Sequence, residues 1–142
     1  MTVRETIVTA LLAALATTGS TVSRDASRPE TVPAAGLLIL REGNGDLADI
    51  TLSPTTYHYR HAMLIELYAG DTSQPERVST IDALLTAVRG SLIADRSLGG
   101  IADWIEIADT VLLAEDAGEG VVPVRQALVT IHIHYHAADA LA

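Results

Sequence analysis

Between residues 57 and 69 the sequence alternates without a break. Tyr57, Tyr59, His61, Met63, Ile65 and Leu67 fall on one parity; His58, Arg60, Ala62, Leu64, Glu66 and Tyr68 fall on the other. Side chains of a strand point to opposite faces in turn, whereas a helix brings every third or fourth residue together. The run therefore predicts one long strand with a mostly apolar face in a core. A second alternation near the end has the same form. Val129, Ile131, Ile133 and Tyr135 face one way, and Thr130, His132, His134 and His136 face the other. A chain with two such runs has a sheet as its body.

Two stretches change period. Val3, Ile7, Ala10, Leu11, Ala14 and Leu15 recur at three- and four-residue steps, which makes one apolar face of a helix ending near Gly19. Thr2 and Glu5 stand as a capping box at its start. Val78, Ile81, Leu85, Val88 and Leu92 mark the stripe of a second helix that stops before Gly99 and Gly100. Ser73 and Glu76 form its capping box, with Pro75 in the first turn, where a missing N–H does no harm.

The remaining segments complete the sheet. Leu37, Leu38, Ile39 and Leu40 are a short apolar run, read as a central strand. The Asn44-Gly45 pair behind it is the sequence signature of a tight hairpin turn, which predicts a returning strand over residues 48–52. Ile105, Ile107, Val111 and Leu113 alternate with Trp104, Glu106, Ala108, Thr110 and Leu112, and Asp109 breaks the apolar face, so a bulge or a sheet end is expected there. A turn follows at Gly118, Glu119 and Gly120. Residues 20–35, polar and bearing Pro29 and Pro33, read as an ordered loop. The fold class is α+β: a mostly antiparallel sheet of about five strands covered on one face by two helices, in the order α-β-β-β-α-β-β. The expectation is a single domain over residues 1–142, a length that buries enough surface to need no covalent staple.

Composition narrows the function. The absence of cysteine excludes disulfides, thiolate metal sites and a cysteine nucleophile. Nine arginines, no lysine and eighteen acids give a net charge of −9, which lacks the cationic footprint of a nucleic-acid binder. Such a surface still suits the wall of a channel through which DNA slides. No apolar run approaches the ~20 residues that span a bilayer, so no membrane role is expected. Arg4 followed by an apolar stretch imitates a signal peptide, but Glu5 and Thr9 interrupt it at helical spacing, so the expectation is a helix of a cytoplasmically made domain.

The histidines are the main chemical lure. His132, His134 and His136 share one strand face, and imidazole is a common metal ligand. Neighbouring members lie roughly 7 Å apart along a strand, so two can share an ion but three cannot easily converge. A third ligand would have to come from elsewhere, such as His58 on an adjacent strand. The favoured reading is a polar face that meets solvent or a neighbouring subunit, with no metal and no cofactor. His61, alone on an apolar face, reads as a hydrogen-bonded core or edge histidine. Residues 42–53 imitate a calcium loop, but Leu47 stands where it needs Gly and Ser53 where it needs Glu. Asp103 and Glu106 fall on opposite parities and are read as surface charge. No nucleophile elbow, phosphate loop or zinc-protease motif occurs, so no catalytic residue is assigned.

In order and texture the segments resemble the tail terminator proteins of long-tailed phages and gene transfer agents. The resemblance runs through the opening helix over residues 4–19, the proline-bearing segment 23–33 and the strand with its Gly-rich stretch over 37–46. It continues through the strand ending Met63-Leu64-Ile65-Glu66-Leu67-Tyr68, the second helix and the final strand pair. It implies a virion protein of the neck, without catalytic residues: a homo-oligomeric ring, commonly of six, that caps the tail tube and meets the head-completion or stopper protein. DNA would be passing cargo only. The candidate contact residues are Asn44 and Gly45 at the expected hairpin tip, His58 and Arg60, and His132, His134 and His136. Alternative readings are another neck or tail component, such as a stopper or a tube subunit, or a small histidine-based metal-binding protein.

Overall fold

A computed structural model describes residues 1–27, 31–70, 73–108, 112–116 and 123–141. The elements are α1 (Val3–Ala16), β1 (Thr21–Arg24), β2 (Leu37–Thr51), β3 (Thr56–Gly70), α2 (Gln74–Ala94), β4 (Trp104–Ile107), β5 (Leu112–Asp116) and β6 (Val124–Ala137). The strand order is β1-β2-β3-β6-β4, with β5 also paired to β6. Only β1 runs parallel to its neighbour; the other pairs are antiparallel. The fold is α+β, as its periodicities require.

The long alternations become the two central strands. β3 and β6 pair over their full length, from Tyr57 opposite Ala137 to Gly70 opposite Val124. Their odd-numbered residues, with Leu38, Leu40 and Ile105, form a core face on which both helices lie. α1 contributes Ile7, Val8, Leu11 and Leu15. α2 contributes Ile81, Leu84, Val88 and Leu92, so its buried stripe starts one turn later than Val78, which is exposed, and passes through Leu84 in place of Leu85. Thr2 caps α1 by accepting from the Glu5 N–H at 3.1 Å, while the Glu5 carboxylate turns to Arg24 in a two-bonded pair of 2.7 and 2.9 Å. That pair ties α1 to β1 and holds the Glu5 carboxyl below its usual range. Ser73 makes no side-chain cap bond; its carbonyl accepts from the Arg77 N–H at 3.0 Å to close the first turn of α2.

Three sequence expectations need correction. The Asn44-Gly45 pair is not a hairpin tip. β2 continues through it to Thr51, and the turn to β3 falls at residues 52–55, where the Ser53–Pro54 peptide is cis. The register with β3 shifts between Glu42 and Gly45, so Gly43 and Asn44 form a bulge and Gly45 is back in register opposite His61. The backbones approach closely there: a Cβ on Gly43 would stand 2.7 Å from the Ala62 carbonyl oxygen. A second shift lies between Leu47 and Asp49. The expected strands over 37–40 and 48–52 are thus one strand.

Part of the expected loop over residues 20–35 is β1, paired in parallel with the start of β2. Its four residues are too few to show a period. The third correction concerns β4 and β5, two strands where one was read. Ala108 still bonds to Thr130, but Leu112 is opposite Leu128, so the register has moved by two residues between them. Asp109, where the break was expected, lies outside the described residues, as do the expected turn at Gly118, Glu119 and Gly120 and the loop residue Pro29.

Candidate assembly surface

Among the described residues, the face of the sheet away from the helices is covered at one end, where Leu37, Ile39 and Tyr68 make a small second cluster with Ala26, Val32 and Val124. Beneath it Glu66 accepts from the Arg41 guanidinium and from the Tyr68 hydroxyl. Further along, the same face is polar and open.

There the register places His58 opposite His136, Arg60 opposite His134 and Ala62 opposite His132, while β4 sets Trp104 beside His134 and Glu106 beside His132. Each imidazole has a partner. Arg60 donates to Nδ1 of His132. A guanidinium cannot accept, so that ring nitrogen must. Nε2 of His134 donates to Glu106 at 3.1 Å, and Nδ1 of His136 donates to Asp103 at 2.7 Å. The His134 bond holds the Glu106 carboxyl below its usual range. Trp104 stacks on His134 with ring centroids 4.9 Å apart and stays 42% exposed. His58 meets Thr51 at 3.0 Å and the His136 ring at 6.0 Å between centroids.

Asp103 and Glu106 therefore do not diverge, because Asp103 precedes β4 and escapes its alternation. Both carboxylates reach the histidine row. The lone pair that a metal would need on Nδ1 of His132 is occupied by Arg60, and among the described residues no three histidines or acids converge on one point. His61 lies on the other face, buried, with Nε2 donating to the Gly43 carbonyl at 2.9 Å and Nδ1 without a partner. It anchors the bulge from the core side.

The structure thus brings together His58, Arg60, His132, His134 and His136, and leaves Asn44 and Gly45 at the bulge on the neighbouring strand. Sequence reading missed a further feature. Beyond the bulge, the second half of β2 runs along β3 as an exposed edge strand, the arm. Leu47 and Ile50 lie on its helix side, opposite Tyr59 and Tyr57, and are 49% and 45% exposed; Leu52 at the turn is 76% exposed. β1 pairs with β2 only as far as Leu40, so among the described residues the outer edge of the arm has no strand beside it. The aliphatic residues scattered through 47–52 were the available signal, but an assumed hairpin at Asn44 hid their common face.

Fold and surface together define an α+β protein with a two-helix layer, an open polar sheet face and a bare strand arm. No family model matches the chain, and no curated protein matches it. Among solved structures the chain is similar to one from "Virion of native gene transfer agent (GTA) particle", at 21% identity over 84% of this chain and 83% of that one, with a TM-score of 0.45. A superposition of that quality fixes neither a family nor a role. Among the described residues, no helix is long and apolar enough to cross a membrane.

Proposed function

We propose that the chain is a structural subunit of a phage-type virion that works by assembling with copies of itself, and that its place is the neck, as a tail terminator. In that role a ring of subunits caps the tail tube and offers a surface to the head-completion or stopper protein. The observation that carries the assembly reading is the arm. Leu47, Ile50 and Leu52 are exposed beside a strand edge that, among the described residues, has no neighbour. Exposed aliphatic edges invite pairing. The terminator role rests on the resemblance in segment order, with which the two-helix α+β fold agrees. A net charge of −9 suits a ring through which DNA passes without sticking. The neck ring, its tube and stopper partners and its location in the virion all belong to this proposal.

The test is the native mass of the purified protein over a range of concentrations, with and without a chelator. Six copies of the 15.0 kDa chain (6 × 15.0 kDa) give a species of about 90 kDa. A discrete species of that mass, indifferent to chelator, is the expected result. Open-ended polymers would point to a tube subunit instead. A chelator-sensitive species would point to the histidines as metal ligands.

A further inference from the structure

At the open end of the polar face, two histidines stand directly across from each other on the central strands. His58 of β3 is opposite His136 of β6, and their ring centroids lie 6.0 Å apart with the planes tilted by 42°. Each ring is held on one nitrogen from outside the pair. Nδ1 of His136 is 2.7 Å from a carboxylate oxygen of Asp103. An ionised carboxylate only accepts, so Nδ1 carries the proton and Nε2 the lone pair. Nε2 of His58 is 3.0 Å from the Thr51 hydroxyl, which can accept, so the lone pair of His58 is free to sit on Nδ1. Neither of those remaining nitrogens has a hydrogen-bond partner among the described residues. A ring held by a carboxylate through one nitrogen, with the other bare, is set as a metal-ligating histidine is. The rest of the row is placed differently: the lone pair of His132 is engaged by Arg60, and His134 is stacked with Trp104 and bonded to Glu106.

We propose that His58 and His136 bind one divalent transition-metal ion of the zinc class, with Asp103 as a positioning residue and water completing the shell. Imidazoles that share an ion through bonds of about 2.0–2.1 Å have centroids about 5–6 Å apart, so a small rotation of either ring brings the pair into range. Nitrogen ligands select zinc, nickel or copper over magnesium and calcium, which take oxygen. The surroundings favour a cation: Asp49 is opposite His58 on β2, Asp103 adjoins His136, and Arg60 is bonded to His132. The His136 side chain is 57% exposed, so an ion enters from solvent without opening the fold. Two protein ligands make an exchangeable site, unlike the closed four-ligand kind that holds a fold together. Both ligands come from one chain, so loading leaves the oligomeric state as it is, and the inference stands apart from the proposed neck role.

The test is calorimetric titration of zinc chloride into the full-length protein at neutral pH. The expected result is one equivalent bound, weakened about tenfold or more in His58→Ala and in His136→Ala and kept within about twofold in His132→Ala, with circular dichroism unchanged. Asp103→Ala should weaken binding by about tenfold, the usual effect of removing the support of a ligating histidine, and should leave the His136 proton no longer fixed on Nδ1. Imidazole nitrogen NMR of the wild type needs no variant: zinc should shift Nδ1 of His58 and Nε2 of His136 while Nδ1 of His136 keeps its proton. No binding at millimolar zinc would overturn the proposal. Binding that survives the loss of His58, or that falls equally with His132, would overturn it too, marking an adventitious ion only.

Discussion

His61 shows how one residue links the core to the arm. Burial pushes its imidazole below the usual value, outweighing the Gly43 carbonyl and the Glu42 carboxylate, which favour the charged form. Arg4 disfavours that form, and Asp46 favours it weakly. A histidine kept neutral by folding binds a proton more readily in the unfolded chain. Its stabilising contribution is therefore complete above the unfolded value of about 6.5 and declines as pH falls through that value toward the lower folded one. We expect the wild-type thermal midpoint to drop between pH 7 and pH 5.5 more steeply than that of His61→Gln. The difference is bounded by about 1.4 kcal/mol for each unit by which the value is lowered. Equal slopes in a melting series would show that His61 is not the group responsible. The role as a hydrogen-bonded core residue was legible from its place on an apolar parity. Its partner was not, because Gly43 reaches it only through the bulge.

At the scale of the element, the bulge in β2 depends on glycine at one position and only tolerates it at another. A Cβ on Gly43 would meet the Ala62 carbonyl oxygen at 2.7 Å, which is backbone and cannot step aside. A Cβ on Gly45 would meet the His61 ring at 3.7 Å, an ordinary contact. Gly43→Ala should cost about 1–3 kcal/mol in urea denaturation, the usual penalty for forcing atoms into a packed site. Gly45→Ala should cost less than half as much. The same contrast explains what sequence reading saw and what it missed. Long, regular elements (β3, β6 and the two helices) carry their period over enough residues to be read directly. β1 has four residues and no period, and Asn44-Gly45 has the chemistry of a turn although β2 runs through it and Gly45 is back in register opposite His61. The histidine row was legible as a shared face, since alternation alone fixes it. Its carboxylate partners were not, because pairing between β4 and β6 is a contact across the chain that neither segment announces.

For the whole molecule, the open face and the arm separate two questions that a single mass measurement joins. Alanine at His132, His134 and His136 removes the row that meets Arg60, Glu106 and Asp103 without touching the core parity of β6. Circular dichroism should be unchanged, and assembly or tail joining should weaken by about tenfold. That is roughly 1.4 kcal/mol, a modest loss for three polar contacts at an interface. Assembly at wild-type strength would remove this face from the interface and leave the arm as the contact.

The two register shifts in β2 have a consequence of their own. Up to Glu42 the even-numbered residues of the strand face the helices; at Gly45 and Leu47 the odd ones do; at Ile50 the even ones do again. Each shift admits one extra residue and so reverses the parity. Without them Asp46 would point toward the helix layer and Leu47 away from it. The arm's division into an aliphatic side and an acidic side is therefore written less in which residues it carries than in how they are counted, like a reading frame. Loss of one residue at either shift would exchange the two sides of the arm beyond it while leaving every amino acid there unchanged.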